Sequence, residues 1–138
     1  MKTQESDIRP RKMIYVLAGD PTPLARPRFY KDHIYDSQKQ IRLIAGITLQ
    51  AQHGEHAFFQ GPLRIDMNFY LKYSVGRNKG LEATPHTRVP DIDNLIKFIC
   101  DISTGIIYAD DRIVADIRAR KWFSSNPRTE FIVSEVGL

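Results

Sequence analysis

The sequence predicts an α+β fold: a single domain with a small, mixed, mostly antiparallel sheet and helices packed on it. Three observations predict it. Stretches with a hydrophobic period of two alternate with stretches of helical period in the order β–α–β–α–β–β. The longest alternation runs from Leu63 to Tyr73 and puts Leu63, Ile65, Met67, Phe69 and Leu71 on one side, as in a strand covered on one face. With 138 residues and 42% hydrophobic content, the chain can fill one core but not two.

Residues 1–12 read as a polar tail and 13–138 as the folded domain. Lys12–Gly19, rich in β-branched and aromatic residues, ends at Gly19-Asp20-Pro21 and reads as a strand and turn. PTPLARPRFYKDHIYD reads as a proline-punctuated basic and aromatic loop. Between Ser37 and about Ala57, Ile41, Ile44, Ala45, Thr48 and Leu49 recur at helical spacing, with Asp36 or Ser37 as N-cap and Gly54 as the stop. After the Leu63–Tyr73 strand, SVGRNKGLEATPHTR is a long basic loop. A second helix is predicted from about Asp91 to Thr104, ending near Gly105. Past Asp110–Asp111, RIVADIRARKWF alternates with Ile113, Ala115, Ile117 and Ala119 inward, and PRTEFIVSEV supplies the last strand.

Several function classes fall away. No apolar run approaches the length of a membrane span, and the N-terminus is polar rather than signal-like, so no membrane partner is expected. A lone cysteine, Cys100, cannot form an internal disulfide and suits a reducing, cytoplasmic setting. His53 and His56 lack the i,i+4 spacing of a helical zinc pair. Neither a Gly-rich phosphate loop nor a Ser-His-Asp constellation is evident. Charge is uneven: residues 1–90 hold 14 Lys and Arg against 8 Asp and Glu, a balance of +6, whereas residues 91–138 hold 6 against 8, a balance of −2. A basic front with an acidic back fits an enzyme that gathers phosphate backbone and presents carboxylates with a metal ion. Within the basic part, Arg26, Arg28 and Lys31 stand among Phe29 and Tyr30, and Arg77, Lys79 and Arg88 precede the acidic segment. Cations in such clusters bind phosphates and rings stack on bases; equally, the rings can pack under the loop while the cations are solvated.

On a helix over residues 92–106, Ile92, Leu95, Ile96, Ile99, Ile102 and Ile106 form the core stripe. Asp93, Lys97, Asp101 and Thr104 share another face, and Asp91 stands at the entrance. One reading is structural: Asp91 as N-cap and Asp93–Lys97–Asp101 as a ladder of i,i+4 pairs. The other is chemical. Adjacent Asp110 and Asp111 repel each other unless water or a cation balances them. Several carboxylates with one lysine are what Mg²⁺-assisted phosphodiester hydrolysis requires, because Mg²⁺ takes hard oxygen ligands together with substrate phosphates.

PDIDNLIKFICDISTGIIYADDRIV, Pro90–Val114, resembles the signature of RusA-type Holliday junction endonucleases. That signature is an Asp-x-Asp-Asn-Leu-x-Lys segment, then a helix Asp, then an Asp-Asp pair past a Gly turn. PTPLARPRF resembles the Arg-Pro-Arg segment near the start of many phage- and prophage-type members. The resemblance covers most of the chain from about Met13 and is strongest over residues 88–114. It implies that Asp91, Asp93 and Asp111 are catalytic carboxylates holding Mg²⁺, with Lys97 as electrostatic helper. Asp110 is then a supporting acid beside the metal, and Asn94 and Asp101 match further motif positions. The connection from helix to Asp pair is slightly shorter here than in some relatives. The resemblance further implies a homodimer acting on four-way junction DNA. Two other activities fit the same residues: junction binding without cleavage, and metal-dependent phosphohydrolysis of other branched DNA or nucleotides.

Overall fold

The computed structural model describes residues 9–26, 28–73 and 80–137. Four strands, β1 (Lys12–Ala18), β4 (Leu63–Leu71), β5 (Val114–Phe123) and β6 (Arg128–Glu135), form one sheet in the order β1-β6-β4-β5. The β1–β6 and β6–β4 pairs are antiparallel and β4–β5 is parallel, so the sheet is mixed as expected. Joining parallel neighbours requires a crossover, and helix α2 (Ile92–Ser103) supplies it. Helix α1 (Lys39–His53) packs against β1 and α2.

β4 dictates the packing. Its residues alternate without a break, with Leu63, Ile65, Met67, Phe69 and Leu71 all buried, and strands pair along both its edges. Leu49 of α1, Leu95, Phe98, Ile99 and Ile102 of α2, and Tyr15, Phe131 and Val133 complete the core. On the other sheet face, Arg64 pairs with Asp116 and Arg120 with Asp66, each at 2.8 Å. There Trp122 Nε1 donates to Asn68 Oδ1, and the Arg128 guanidinium lies 3.8 Å above the Tyr70 ring centroid.

Four sequence expectations change. Arg28–Tyr30 and His33–Tyr35, read as loop, form a two-stranded hairpin, β2–β3. Its turn residues Lys31 and Asp32 both adopt positive φ, 48° and 68°, the backbone of the tight hairpin turn that usually takes Asn-Gly. Helix α1 starts later than expected, after Gln38, because Asp36 Oδ1 accepts from the Gln38 amide and holds a turn there. Its buried line is Ala45, Leu49 and His53; Ile41 and Ile44 are 47% and 63% exposed. In β5 the register with β4 slips between Leu63 and Arg64, so Ala115, expected inward, falls at an irregularity and is exposed, while Ile117 and Ala119 lie opposite Ile65 and Met67. Ile117 stays partly exposed because β5 is an edge strand. Finally, the end of the long basic loop is bound to that edge. The Ala83 and His86 amides donate to the Phe123 and Lys121 carbonyls, and the Phe123 amide donates to the Thr84 carbonyl.

Two polar devices hold this frame. His53 is fully buried; its Nε2 contacts the Ala57 carbonyl at 3.0 Å, and its Nδ1 the Tyr15 hydroxyl at 2.8 Å. A carbonyl only accepts, so Nε2 carries the proton and Nδ1 accepts from Tyr15. Lys121, facing inward beside Phe69, donates from Nζ to the carbonyls of Arg88 (2.6 Å) and Pro90 (2.7 Å), clamping the segment that enters α2.

Burial lowers the pKa of His53, and burial with the Lys121 and Arg88 charges lowers that of His86. A folded histidine of depressed pKa contributes stability that is complete above the unfolded value, about 6.5. That contribution is lost as pH falls toward and through the lower folded value. The urea midpoint should therefore hold steady from pH 8 to about 6.5 and drop by pH 5; an equal midpoint at pH 5 and 7.5 contradicts the assignment. Lys121→Met removes both clamp bonds, each worth about 1.5–3 kcal/mol as a charged hydrogen bond before solvent screening. Hydrogen exchange at the amides of Arg88–Leu95 should quicken about tenfold or more while that of β4 is unchanged. Equal acceleration across the sheet would mean the bonds serve the whole fold instead.

Candidate metal centre and nucleic-acid interface

The chain enters α2 through a fixed path. Lys121 holds the carbonyls of Arg88 and Pro90, the Val89–Pro90 bond is cis, and the Leu24 amide donates to the Asn94 carbonyl at 2.9 Å. Gln38 ties the same proline-rich strap to the start of α1, accepting from the Ala25 amide and donating to the Pro23 carbonyl. The second half of the crossover is equally anchored. Ile107 and Tyr108 are fully buried, the Tyr108 hydroxyl donates to the Cys100 carbonyl, and Gly105 takes the left-handed turn with φ 86°. A 3₁₀ turn, Asp111–Ile113, follows and contacts α2 before β5 begins.

On this scaffold the acidic residues divide into two groups. Asp101 does not extend a ladder from Lys97; its carboxylate bonds Arg42 of α1, which also pairs with Asp36 at 3.1 Å. Asp110 caps the 3₁₀ turn, accepting from the Arg112 amide at 2.9 Å. These two have structural work. Asp91 occupies the N-cap position of α2, yet its side chain makes no capping bond. Asp93 approaches Lys97 only at 3.9 Å, with the two side chains 66% and 61% exposed, and such a pair contributes little to stability. Asp111 is exposed on the turn beside α2. Its charge adds to burial in raising the pKa of the Cys100 thiol and the Tyr108 hydroxyl. Asp91, Asp93 and Asp111 are thus held in place by backbone anchors, while their carboxylates remain open to solvent.

Among the described residues, no three acidic, histidine or cysteine side chains form a ready-made metal cage. Mg²⁺ does not require one: it keeps several waters and takes one or two carboxylates together with phosphate oxygens. Asp91 and Asp93, hard and solvent-open at the entrance of α2, suit that ion. Asp111 stands past the helix exit at the start of β5, so within one chain the 12-residue helix, about 18 Å long, separates it from them.

Cations border the site. Arg88, three residues before Asp91, lies over the Phe123 ring at 5.7 Å, and His86 packs on the same ring at 4.4 Å. Arg26 and Lys31 are exposed, with Lys31 Nζ 5.4 Å from the Tyr30 ring centroid. Arg77, Lys79 and the Arg28 side chain lie outside the described residues. Sequence reasoning missed Lys121, although its inward parity in β5 was a signal, because a lysine facing the core must find acceptors. It also missed the Leu24 tie, which joins two backbone groups, and the Gln38 tie, whose side-chain amide meets backbone partners that leave no sequence trace.

Residues 18–134 match the family described as endodeoxyribonuclease RusA. The chain is also 30% identical over 135 residues to the uncharacterized protein YqaN of Bacillus subtilis (strain 168), covering 88% of this chain and 95% of that protein. With the family match spanning β4, β5, nearly all of β6 and both halves of the α2 crossover, the chain belongs to the RusA endodeoxyribonuclease family.

Proposed function

We propose that this protein is a Mg²⁺-dependent, structure-specific endonuclease of the cytoplasm that acts as a homodimer and resolves four-way DNA junctions by paired, symmetric nicks. The observation that carries this reading is the division among the acids: Asp101 and Asp110 are engaged in the fold, whereas Asp91, Asp93 and Asp111 are positioned but unengaged. Solvent-open carboxylates with no hydrogen bond in the fold are free to take a ligand, and a phosphodiester arriving with its cation supplies one.

Asp91 and Asp93 would hold the ion; Asp111, with Asp110 supporting, lies past the other end of α2 in the same chain and would complete the set across the dimer. When bound, Mg²⁺ lowers the pKa of a water and offsets charge on the departing oxygen. The chain's own part is orientation and charge. The Lys121 clamp and the Leu24 tie fix where Asp91 and Asp93 stand. Lys97, one helical turn below Asp93, meets a non-bridging phosphate oxygen. Arg26, Arg28, Lys31 and Arg88, with Arg77 and Lys79, take the backbone on either side. Attack by water at phosphorus with departure of the 3′ oxygen leaves 5′-phosphate ends.

Dimerisation is supported by α1, where Ile41, Leu43, Ile44 and Ile47 are all exposed. A helix apolar on so many sides is ordinarily covered, and one site per chain needs a second copy for two cuts.

On a synthetic four-way junction with Mg²⁺, Asp91→Asn, Asp93→Asn and Asp111→Asn should each lower nicking by about a thousandfold or more. Junction binding should be kept or tightened, since a carboxylate that repels phosphate is gone. Asp101→Asn should cut at near wild-type rates and lose some stability. Binding by the wild type without Mg²⁺-dependent nicking would indicate a junction-binding module instead. A preference for flaps or nucleotides would indicate a different phosphohydrolase. Arg26→Ala should weaken binding and flatten the plot of log affinity against log salt by about one unit of slope; an unchanged slope returns Arg26 to the ordinary surface.

A further inference from the structure

We infer that the β2–β3 hairpin is a wedge whose Phe29–Ile34 pair inserts among unstacked bases of the DNA bound at the acidic site. The inference rests on the nucleic-acid reading above and adds a base-contacting element to it. Phe29 and Ile34 are directly opposed across the hairpin, so their side chains share one face, and they are 75% and 66% exposed. An isolated two-stranded hairpin is marginal in water unless its apolar face is covered. Here the pairing is closed by a turn that forces Lys31 and Asp32, neither a glycine, to positive φ. Backbone in such sparsely populated conformations clusters at binding elements.

Charge selects the occupant. Residues 26–39 carry Arg26, Arg28, Lys31 and Lys39 against Asp32 and Asp36, and Asp36 is already paired with Arg42. An apolar pair in a segment of net positive charge fits a polyanion that exposes flat apolar rings, which is DNA with opened base steps. Position agrees with this. The Leu24 amide is bonded to the Asn94 carbonyl, on the first turn of α2 beside Asp91 and Asp93. Five residues of chain, at most about 17 Å, separate that bond from Phe29. At about 3.4 Å per nucleotide, the bases reached lie within about five nucleotides of the phosphate at the carboxylates.

The test uses Asp91→Asn protein, to hold the substrate uncut, and four-way junctions with 2-aminopurine placed singly within five nucleotides of the crossover. Binding should raise the probe's fluorescence at one or two positions. Adding Phe29→Ala or Ile34→Ser should abolish that rise and weaken binding about tenfold or more, and Phe29→Trp should restore both. Binding with no fluorescence change, or a rise untouched by Phe29→Ala, overturns the wedge while leaving the nuclease reading intact. Failure of the parent protein to bind any junction overturns both. If Phe29→Ala instead converts a dimer to monomers in sedimentation, the pair covers a second copy of the chain and the wedge is overturned. Circular dichroism of each variant, expected to match the parent because both side chains are exposed, ties any loss to the pair itself.

Discussion

The parallel pairing of β4 with β5 is the constraint on which the rest of the molecule depends. Two parallel neighbours cannot be joined by a tight turn, so the chain must leave the end of β4, return over the sheet and re-enter at the start of β5. Helix α2 makes that return, and its apolar stripe over the buried face of β4 fixes how it lies. The helix entrance is consequently delivered to the end of the sheet where Lys121 stands, and the exit turn to the start of β5. Asp91 and Asp93 travel with the first, Asp110 and Asp111 with the second. Both sets of carboxylates are located by the crossover itself, before any ligand is considered.

Within that frame, the acids differ in what they do for the folded chain. Asp101 joins α2 to α1 through Arg42, and Asp110 accepts from the Arg112 amide in the turn before β5. Asp91, Asp93 and Asp111 do neither. The usual use of an aspartate at a helix N-cap is to accept an amide bond worth about 1 kcal/mol, and Asp91 makes none. A residue of the best capping type thus stands at the capping position without making the cap, and it stays open to solvent.

The sequence made some of this legible and hid the rest for identifiable causes. β4 was readable because five apolar residues alternate without interruption in a strand flanked on both edges. Helix α2 was readable because its stripe is regular and its boundaries carry Pro90 and Gly105, although Phe98 joins the core from beside the stripe and Ile106 lies past the helix end. Helix α1 misled, since its apolar residues nearly encircle it and periodicity cannot say which arc meets the sheet. Ala45 and Leu49 face inward with His53, leaving Ile41 and Ile44 outside. The β2–β3 hairpin escaped notice because three-residue strands closed by Lys-Asp carry none of the usual turn chemistry. Of the site, the residue types and spacing were readable. The backbone bonds that set their positions were not, because a carbonyl has no sequence signature.

These hidden bonds explain how a small domain can keep a rigid core and still present an adaptable binding edge. The core is secured by apolar packing under β4, with the His53–Tyr15 pair and the Tyr108 hydroxyl among its hydrogen-bonded polar groups. The strap at 21–26 and the segment at 86–91 hold instead by a few hydrogen bonds: Leu24 to Asn94, Gln38 to Ala25 and Pro23, and Lys121 to Arg88 and Pro90. Bonds of this kind open locally at far lower free energy than the sheet melts. The candidate site can therefore adjust around a large, irregular polyanion without loosening the hydrophobic contacts that position α2. Separating the two kinds of bonding lets idle carboxylates and exposed cations stand at the edge without drawing on the stability of the centre.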